Sequence, residues 1–88
     1  MKKRNRERLL GEFKKEKYDR SLGEAEALLR SFGFIERAAN KEASVWQRGP
    51  VGLTLPRPKG KSLLVAYVSL VIRKIEEAEA TGIPEETI

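Results

Sequence analysis

Residues 43–56 read ASVWQRGPVGLTLP, a pattern that predicts two short strands joined by a turn. In the first half, Val45 and Trp46 favour an extended backbone. In the second half, apolar side chains alternate with Gly, Thr and Pro, which is typical of a strand with one apolar face. A glycine and a proline between the halves mark the turn. A further candidate strand, residues 34–39, comes just before, so we expect three antiparallel strands.

Two helices flank the predicted strands. Ser21 and Glu24 have the spacing of a capping box, in which a hydroxyl begins a helix and a glutamate three residues later returns the hydrogen bond. Apolar side chains follow at helical spacing, and Gly33 is placed to end that helix. After the strands, Ser62 can cap a second helix, whose apolar side chains recur at helical spacing as far as Ile75.

The order of helix, three strands and helix predicts an α+β fold. Neither helix can bury its apolar stripe alone, so the stable arrangement is a small two-layer α-β-β-β-α sandwich with both helices on one face of an antiparallel sheet. The other sheet face stays open to solvent or to a partner. The side chains expected to form the core are Leu28, Leu29, Phe32, Phe34, Leu53, Leu55, Tyr67, Val68, Val71 and Ile72.

The chain is expected to divide into three parts. Residues 1–20 are predicted to be a basic, partly helical arm, because their apolar stripe is weak and Gly11 interrupts it at a cost of ~1 kcal/mol relative to alanine. Residues 21–82 are predicted to be the folded domain. Residues 83–88 are predicted to be a frayed C-terminal tail.

The charge composition favours a polyanionic partner. The chain carries 18 Lys and Arg against 13 Asp and Glu, a formal net charge of +5. Between residues 30 and 74, Glu36 and Glu42 are the only acidic side chains among many basic ones. Such a surface suits RNA. The alternative, that the basic side chains only keep a small domain soluble, fits the charge equally well.

Missing residue types exclude several kinds of chemistry. The sequence has no cysteine, which excludes disulfides and thiolate metal sites. It has no histidine, which removes the usual general base near neutral pH and the commonest metal ligand. The longest apolar stretch, residues 63–72, is shorter than the ~20 residues of a membrane span. We therefore expect a cytoplasmic protein that is monomeric on its own and holds no metal or cofactor.

Three segments occur in the order and spacing of a known family. Residues 26–34 (EALLRSFGF) look like its first helix with the closing Gly-Phe, residues 53–58 (LTLPRP) like its third strand, and residues 59–61 (KGK) like the approach to its last helix. In these segments the chain resembles the HicA toxins of toxin–antitoxin systems, whose fold is akin to the double-stranded-RNA-binding domain. The resemblance implies an endoribonuclease that cleaves messenger RNA and is neutralised by a HicB-type antitoxin.

The second strand departs from that family. HicA proteins usually carry Gly-Ser-His a few residues before an aromatic residue, and alignment on Trp46 puts this triplet on Lys41, Glu42 and Ala43. The catalytic histidine of the family thus falls on Ala43, and an active enzyme is not expected. Either histidine was deliberately replaced by alanine, because an active toxin kills its expression host, or the protein is a natural RNA binder that has lost cleavage. Alanine at this one position favours the first explanation.

Basic side chains near the second and third strands are candidate phosphate contacts. They are Lys41, Arg48, Arg57, Lys59 and Lys61. Trp46 could stack on an RNA base, fill the core or mark an antitoxin contact, and core packing is the preferred interpretation. Ala43 and Trp46 lie on opposite faces of their strand, but the pattern alone does not say which face is buried.

Two other classes of function stay open. The chain could be a non-catalytic RNA-binding module of the same fold. It could also be a protein-interaction domain whose basic face docks on an acidic partner. RNA binding that weakens with salt would separate both RNA-binding classes from the protein-interaction domain.

Overall fold

A computed structural model describes residues 3–85 of the chain. These residues form three helices and one three-stranded antiparallel sheet, which confirms the predicted α+β class with its helix, three strands and helix in order. An additional helix precedes them. The elements are α1 (Lys3–Lys15), α2 (Leu22–Ser31), β1 (Ile35–Ala39), β2 (Ala43–Arg48), β3 (Val51–Pro56) and α3 (Val65–Ala80).

The sheet has the order β1-β2-β3, so that β2 is central and pairs with both neighbours. Arg48 of β2 faces Val51 of β3, which leaves Gly49 and Pro50 as a two-residue loop. Gly49 has a φ of +59°, the left-handed conformation that tight hairpin loops demand at one or both central positions. The predicted strands 43–48 and 51–56 are therefore confirmed with their boundaries.

The register decides which face of β2 is buried, a question the alternation left open. Ser44, Trp46 and Arg48 point toward the helices and are buried, whereas Val45 lies on the outer face with 37% of its surface exposed. All the predicted core side chains are buried except Tyr67, which is half-buried against the core. The outer sheet face carries Ala43 at one end.

Helix α2 begins and ends as the sequence predicts. The backbone N–H of Glu24 donates to Ser21 Oγ over 3.1 Å, and the backbone N–H of Ser21 donates to a Glu24 carboxylate oxygen over 3.0 Å. The hydrogen bond from the Ser21 backbone N–H is the main cause that lowers the pKa of Glu24 below its ordinary value, and the hydrogen bond from the neighbouring Arg20 lowers it further. At the other end, Gly33 adopts a φ of +79°, as a glycine that closes a helix does.

Helix α3 begins later than expected. The prediction that Ser62 caps it is wrong, because the first helical residue is Val65 and the N-cap position belongs to Leu64. A hydroxyl reaches the first free N–H groups only from the residue directly before the helix. Leu64 also leaves the predicted apolar stripe, since 68% of its surface is exposed.

Helix α1 belongs to the folded body, whereas the sequence interpretation separates residues 1–20 as an arm. Phe13 is 1% exposed and is part of the core. The Arg20 guanidinium lies 4.5 Å from the Phe13 ring centroid, donates to backbone carbonyls of Glu12 and Glu16, and pairs with Glu24 of α2. One buried aromatic side chain and one arginine thus help to fix this helix, to which Leu9 and Leu10 add partly buried contacts with the core.

The chain after α3 returns to the domain. Ile83 packs against the core, and Glu85 forms an ion pair with Arg6 of α1 over 2.8 Å. Residues 86–88 of the predicted tail lie outside the described residues. Two residues of that predicted tail, Ile83 and Glu85, are therefore in contact with the domain.

A substitution at Gly33 tests the contact between the C-terminal segment and the domain. A Cβ added at Gly33 would lie 2.3 Å from the Cβ of Glu85, and the positive φ is itself unfavourable for alanine. We expect Gly33→Ala to lower the free energy of unfolding by about 2 kcal/mol in urea denaturation. Gly60→Ala is the control, because no described atom lies within 4 Å of its added Cβ. Equal stability of the two variants would contradict the close packing at Gly33.

Candidate nucleic-acid interface

Two loops meet at one end of the sheet and bring basic side chains together. Lys41 lies in the turn between β1 and β2, and Arg57 directly follows β3. The backbone N–H of Arg57 donates to the Glu42 carbonyl over 2.8 Å, and Arg57 Nε donates to the Asn40 carbonyl over 2.6 Å. Lys41 and Arg57 therefore line one shallow depression, although they are 16 positions apart in the sequence.

The loop between β3 and α3 adds Lys59 and Lys61, and both side chains are exposed. Arg57 and Lys41 are exposed as well. Among the described residues, none of these four side chains has a carboxylate within ion-pairing distance. Their charges are consequently available to an anionic partner. We call Lys41, Arg57, Lys59 and Lys61 the basic end.

Ala43 lies beside the basic end. It is the first residue of β2 and pairs with Pro56, the last residue of β3. Arg57 directly follows Pro56 in the chain. The Asn40 side-chain oxygen accepts hydrogen bonds from the backbone N–H groups of Glu42 and Ala43, over 2.8 and 2.9 Å. These bonds order the turn before β2. A longer side chain at position 43 would project from the outer sheet face, and both Ala43 and Arg57 are hydrogen-bonded to Asn40.

Arg48 is not at the basic end, and its prediction as a phosphate contact is wrong. The side chain is 4% exposed and lies inside the domain. Arg48 Nη1 donates to the Phe32 carbonyl over 2.9 Å and to Glu79 over 2.6 Å, while Nε donates to the Ile83 carbonyl over 2.9 Å. The guanidinium satisfies carbonyl groups at the C-terminal ends of both α2 and α3, where a cation is favourable.

Trp46 is fully buried, which contradicts its possible role in base stacking and confirms the preferred core interpretation. Its indole N–H donates to Ser44 Oγ over 3.0 Å, and Ser44 Oγ donates to Glu26 over 3.3 Å. The Arg30 guanidinium covers the ring at 4.9 Å from its centroid. The indole N–H is thereby satisfied within β2, and the Ser44 hydroxyl is satisfied by Glu26 of α2.

The basic side chains of α1 are partly used by the fold. Arg6 is 9% exposed, lies 5.0 Å from the centroid of the Phe32 ring and donates to the Ser31 carbonyl. Lys14 forms an ion pair with Glu76 of α3. These contacts stabilise the packing of α1, so the excess positive charge of residues 1–20 is not by itself an RNA-binding signal.

The chemistry available at the basic end is binding of anions. Lys41 lies two residues before Ala43, Arg57 follows the residue that pairs with Ala43, and the sequence offers no imidazole for proton transfer. Within residues 3–85, no group of three or more carboxylates could hold a metal ion. None of the described helices is long and apolar enough to cross a bilayer.

Comparison of the chain with protein-family models, with curated proteins and with solved structures gives no match. The resemblance to HicA therefore rests on the segments 26–34, 53–58 and 59–61 and on the order of the elements. Neither a family membership nor an activity is assigned to the chain by similarity.

Proposed function

We propose that this protein binds RNA through the basic end, on a HicA-like domain that does not cleave RNA because Ala43 stands where a catalytic histidine would lie. One observation carries the proposal. Two loops that leave the same end of the sheet carry four exposed cations without carboxylate partners among the described residues, and two of them, Lys41 and Arg57, line one depression. Clustered lysine and arginine side chains are the electrostatic signature of a phosphate-binding surface.

The anchoring of Arg57 supports this proposal. A guanidinium that already donates to a backbone carbonyl is held in place, so less conformational entropy is lost when a phosphate binds it. Lys41 borders the same depression and would act as a second point charge. In a HicA-type enzyme these cations would steady the phosphate while a histidine at position 43 removed the 2′-hydroxyl proton.

The HicA-like interpretation includes a protein partner. A HicB-type antitoxin would neutralise the protein by covering the surface that contacts RNA. Because that surface is basic, such a partner would present carboxylates to it.

A protein-interaction domain is the second candidate, favoured by the outer face of the sheet. This face carries Val45 with 37% of its surface exposed, flanked by the short or neutral side chains of Ala43, Gln47 and Thr54. Such a face can pack against another protein. On this view the basic end would steer an acidic protein and would not bind RNA.

Salt dependence distinguishes the two candidates. Replacement of Lys59 and Lys61 by alanine together should weaken RNA binding and flatten the plot of log affinity against log salt by up to about 1.4, because each lost phosphate contact to a single strand removes about 0.7. Fluorescence anisotropy with a labelled single-stranded RNA between low and moderate salt measures this slope.

Arg73→Ala combined with Lys74→Ala is the matched control. It removes the same charge from the middle of α3, about two turns beyond the end of the loop. The control should leave the slope close to that of the unmodified protein. RNA binding with identical slopes for all three proteins would mean that Lys59 and Lys61 touch no phosphate. Absence of RNA binding at low salt would favour the protein-interaction domain.

A further inference from the structure

A cleft of about 420 Å³ lies between the loop after β3 and the first turn of α3. Its walls are largely apolar and include Pro56, Pro58, Leu64 and Tyr67. The volume falls within the range of sites that take small organic ligands, which is about 300–1,000 Å³. It borders the basic end, because Arg57 and Lys59 line it as well.

Two of its wall residues leave apolar surface uncovered. Leu64 is 68% exposed, and Tyr67 is half-buried although helical spacing predicts it in the core. Both side chains lie at the start of α3, where the loop arrives over the helix without filling the space in front of it. An aromatic ring, an exposed leucine and two prolines thus form one apolar recess.

The positive charge of this recess comes from the loop after β3. Arg57 and Lys59 are its only charged lining residues among those described, and no carboxylate lines it. The first turn of α3 carries no acidic residue, and no described side chain caps it. A ligand that suits these walls is flat and apolar at one end and anionic at the other, which is the chemistry of a nucleotide.

We propose that the cleft takes one unpaired nucleobase of a single-stranded RNA, with the adjoining phosphate on Arg57 and Lys59. This inference rests on the proposed function and adds a preference for single strands. Phosphate contacts alone are made by duplex and single strand alike, whereas a base can enter a cleft only when it is unstacked and unpaired. The Tyr67 ring offers the surface on which the base would stack.

Tyr67→Leu tests the inference, with Tyr18→Leu as the matched control. Leucine keeps the apolar contact of Tyr67 with the core but removes the ring, and Tyr18 is 68% exposed at a place outside the cleft. Tyr67→Leu should weaken binding of a single-stranded RNA by roughly 5- to 100-fold, the value of one stacked base, without changing the salt slope. Tyr18→Leu should leave both quantities unchanged.

A second variant keeps the test informative if Tyr67→Leu fails to fold. Leu64→Ala removes one wall of the cleft at an exposed position, so the fold should persist while single-strand affinity falls. Uridine 5′-monophosphate provides an independent probe. It should shift the backbone amide resonances of residues 57–67 in the unmodified protein, and these shifts should disappear in Leu64→Ala.

The failures of the two proposals are distinguishable. In one case the protein binds RNA with a salt slope that depends on Lys59 and Lys61, but it binds duplex as tightly as single strand, or both cleft variants bind normally. That result would overturn the cleft inference and leave the proposed RNA binding intact. Absence of RNA binding would overturn the proposed function. In that case a mononucleotide that shifts no amide in residues 57–67 would overturn the cleft inference as well.

Discussion

Replacement of Ala43 by histidine should give the protein a ribonuclease activity that needs no added metal, about 10²–10⁴-fold above that of the unmodified chain. The new imidazole would project from the outer sheet face, beside Arg57 and Lys41. It would supply the one group that the basic end lacks, a base with a pKa near neutrality. Release of fluorescence from a doubly labelled RNA measures the rate, and growth arrest on expression measures the effect in cells.

The matched control is Val45→His. Val45 lies on the same sheet face two residues further along β2, so its imidazole would be equally exposed but roughly 7 Å away. Ser44→His is not suitable, because Ser44 is fully buried and accepts the indole N–H of Trp46. An imidazole there would disrupt the core, and loss of activity would say nothing about position.

The outcomes separate the interpretations of Ala43. Cleavage by Ala43→His alone would indicate a HicA-type enzyme whose histidine has been replaced. Cleavage by both variants would mean that any exposed imidazole suffices, and the specific position would lose its significance. If Ala43→His folds and binds RNA but neither cleaves RNA nor stops growth, the protein is an RNA-binding module without a hidden ribonuclease.

Replacement of Arg48 by alanine should produce the largest loss of stability among single arginine variants of this protein. The change leaves carbonyl groups of Phe32 and Ile83 without a donor and removes the partner of Glu79. A broken buried ion pair costs about 3–5 kcal/mol, and the lower end applies here because Glu79 is about one-third exposed. For a domain of this size that loss lowers Tm by roughly 10 °C or more.

Arg73→Ala is the control for Arg48→Ala, since Arg73 is exposed and exposed substitutions usually change stability by less than about 0.5 kcal/mol. Thermal unfolding followed by circular dichroism compares the two. The interior position of Arg48 would be contradicted if Arg48→Ala kept the stability of the unmodified protein and lost only RNA affinity. That result would return Arg48 to the phosphate contacts.

The local signals in the sequence were sufficient for most of the fold. Strands at 43–48 and 51–56, the capping box of Ser21 and Glu24 and the closing Gly33 were all predictable, because each depends on residues within a few positions of one another. The four residues of the basic end could also be selected, since loops rich in lysine, arginine and proline lie on the surface.

Contacts between distant residues decided the rest. Helix α1 has a weak stripe of its own, and it is fixed by the burial of Phe13 and by the bonds of Arg20 to both α1 and α2. The start of α3 depends on where the loop after β3 meets the helix, so Ser62 was a reasonable cap by spacing and an incorrect one by geometry. Neither outcome has a signal within the segments themselves.

The order of the three strands and the two helices that flank them, and the absence of an imidazole anywhere in the chain, follow from the sequence alone. The tertiary structure alone decided that Trp46 and Arg48 turn inward while Ala43 turns outward. Alternation along a strand defines two faces but does not say which of them is buried, because that depends on the face against which the helices pack. The same packing makes one arginine, Arg48, a buried link between helix ends and leaves another, Arg57, exposed on the surface.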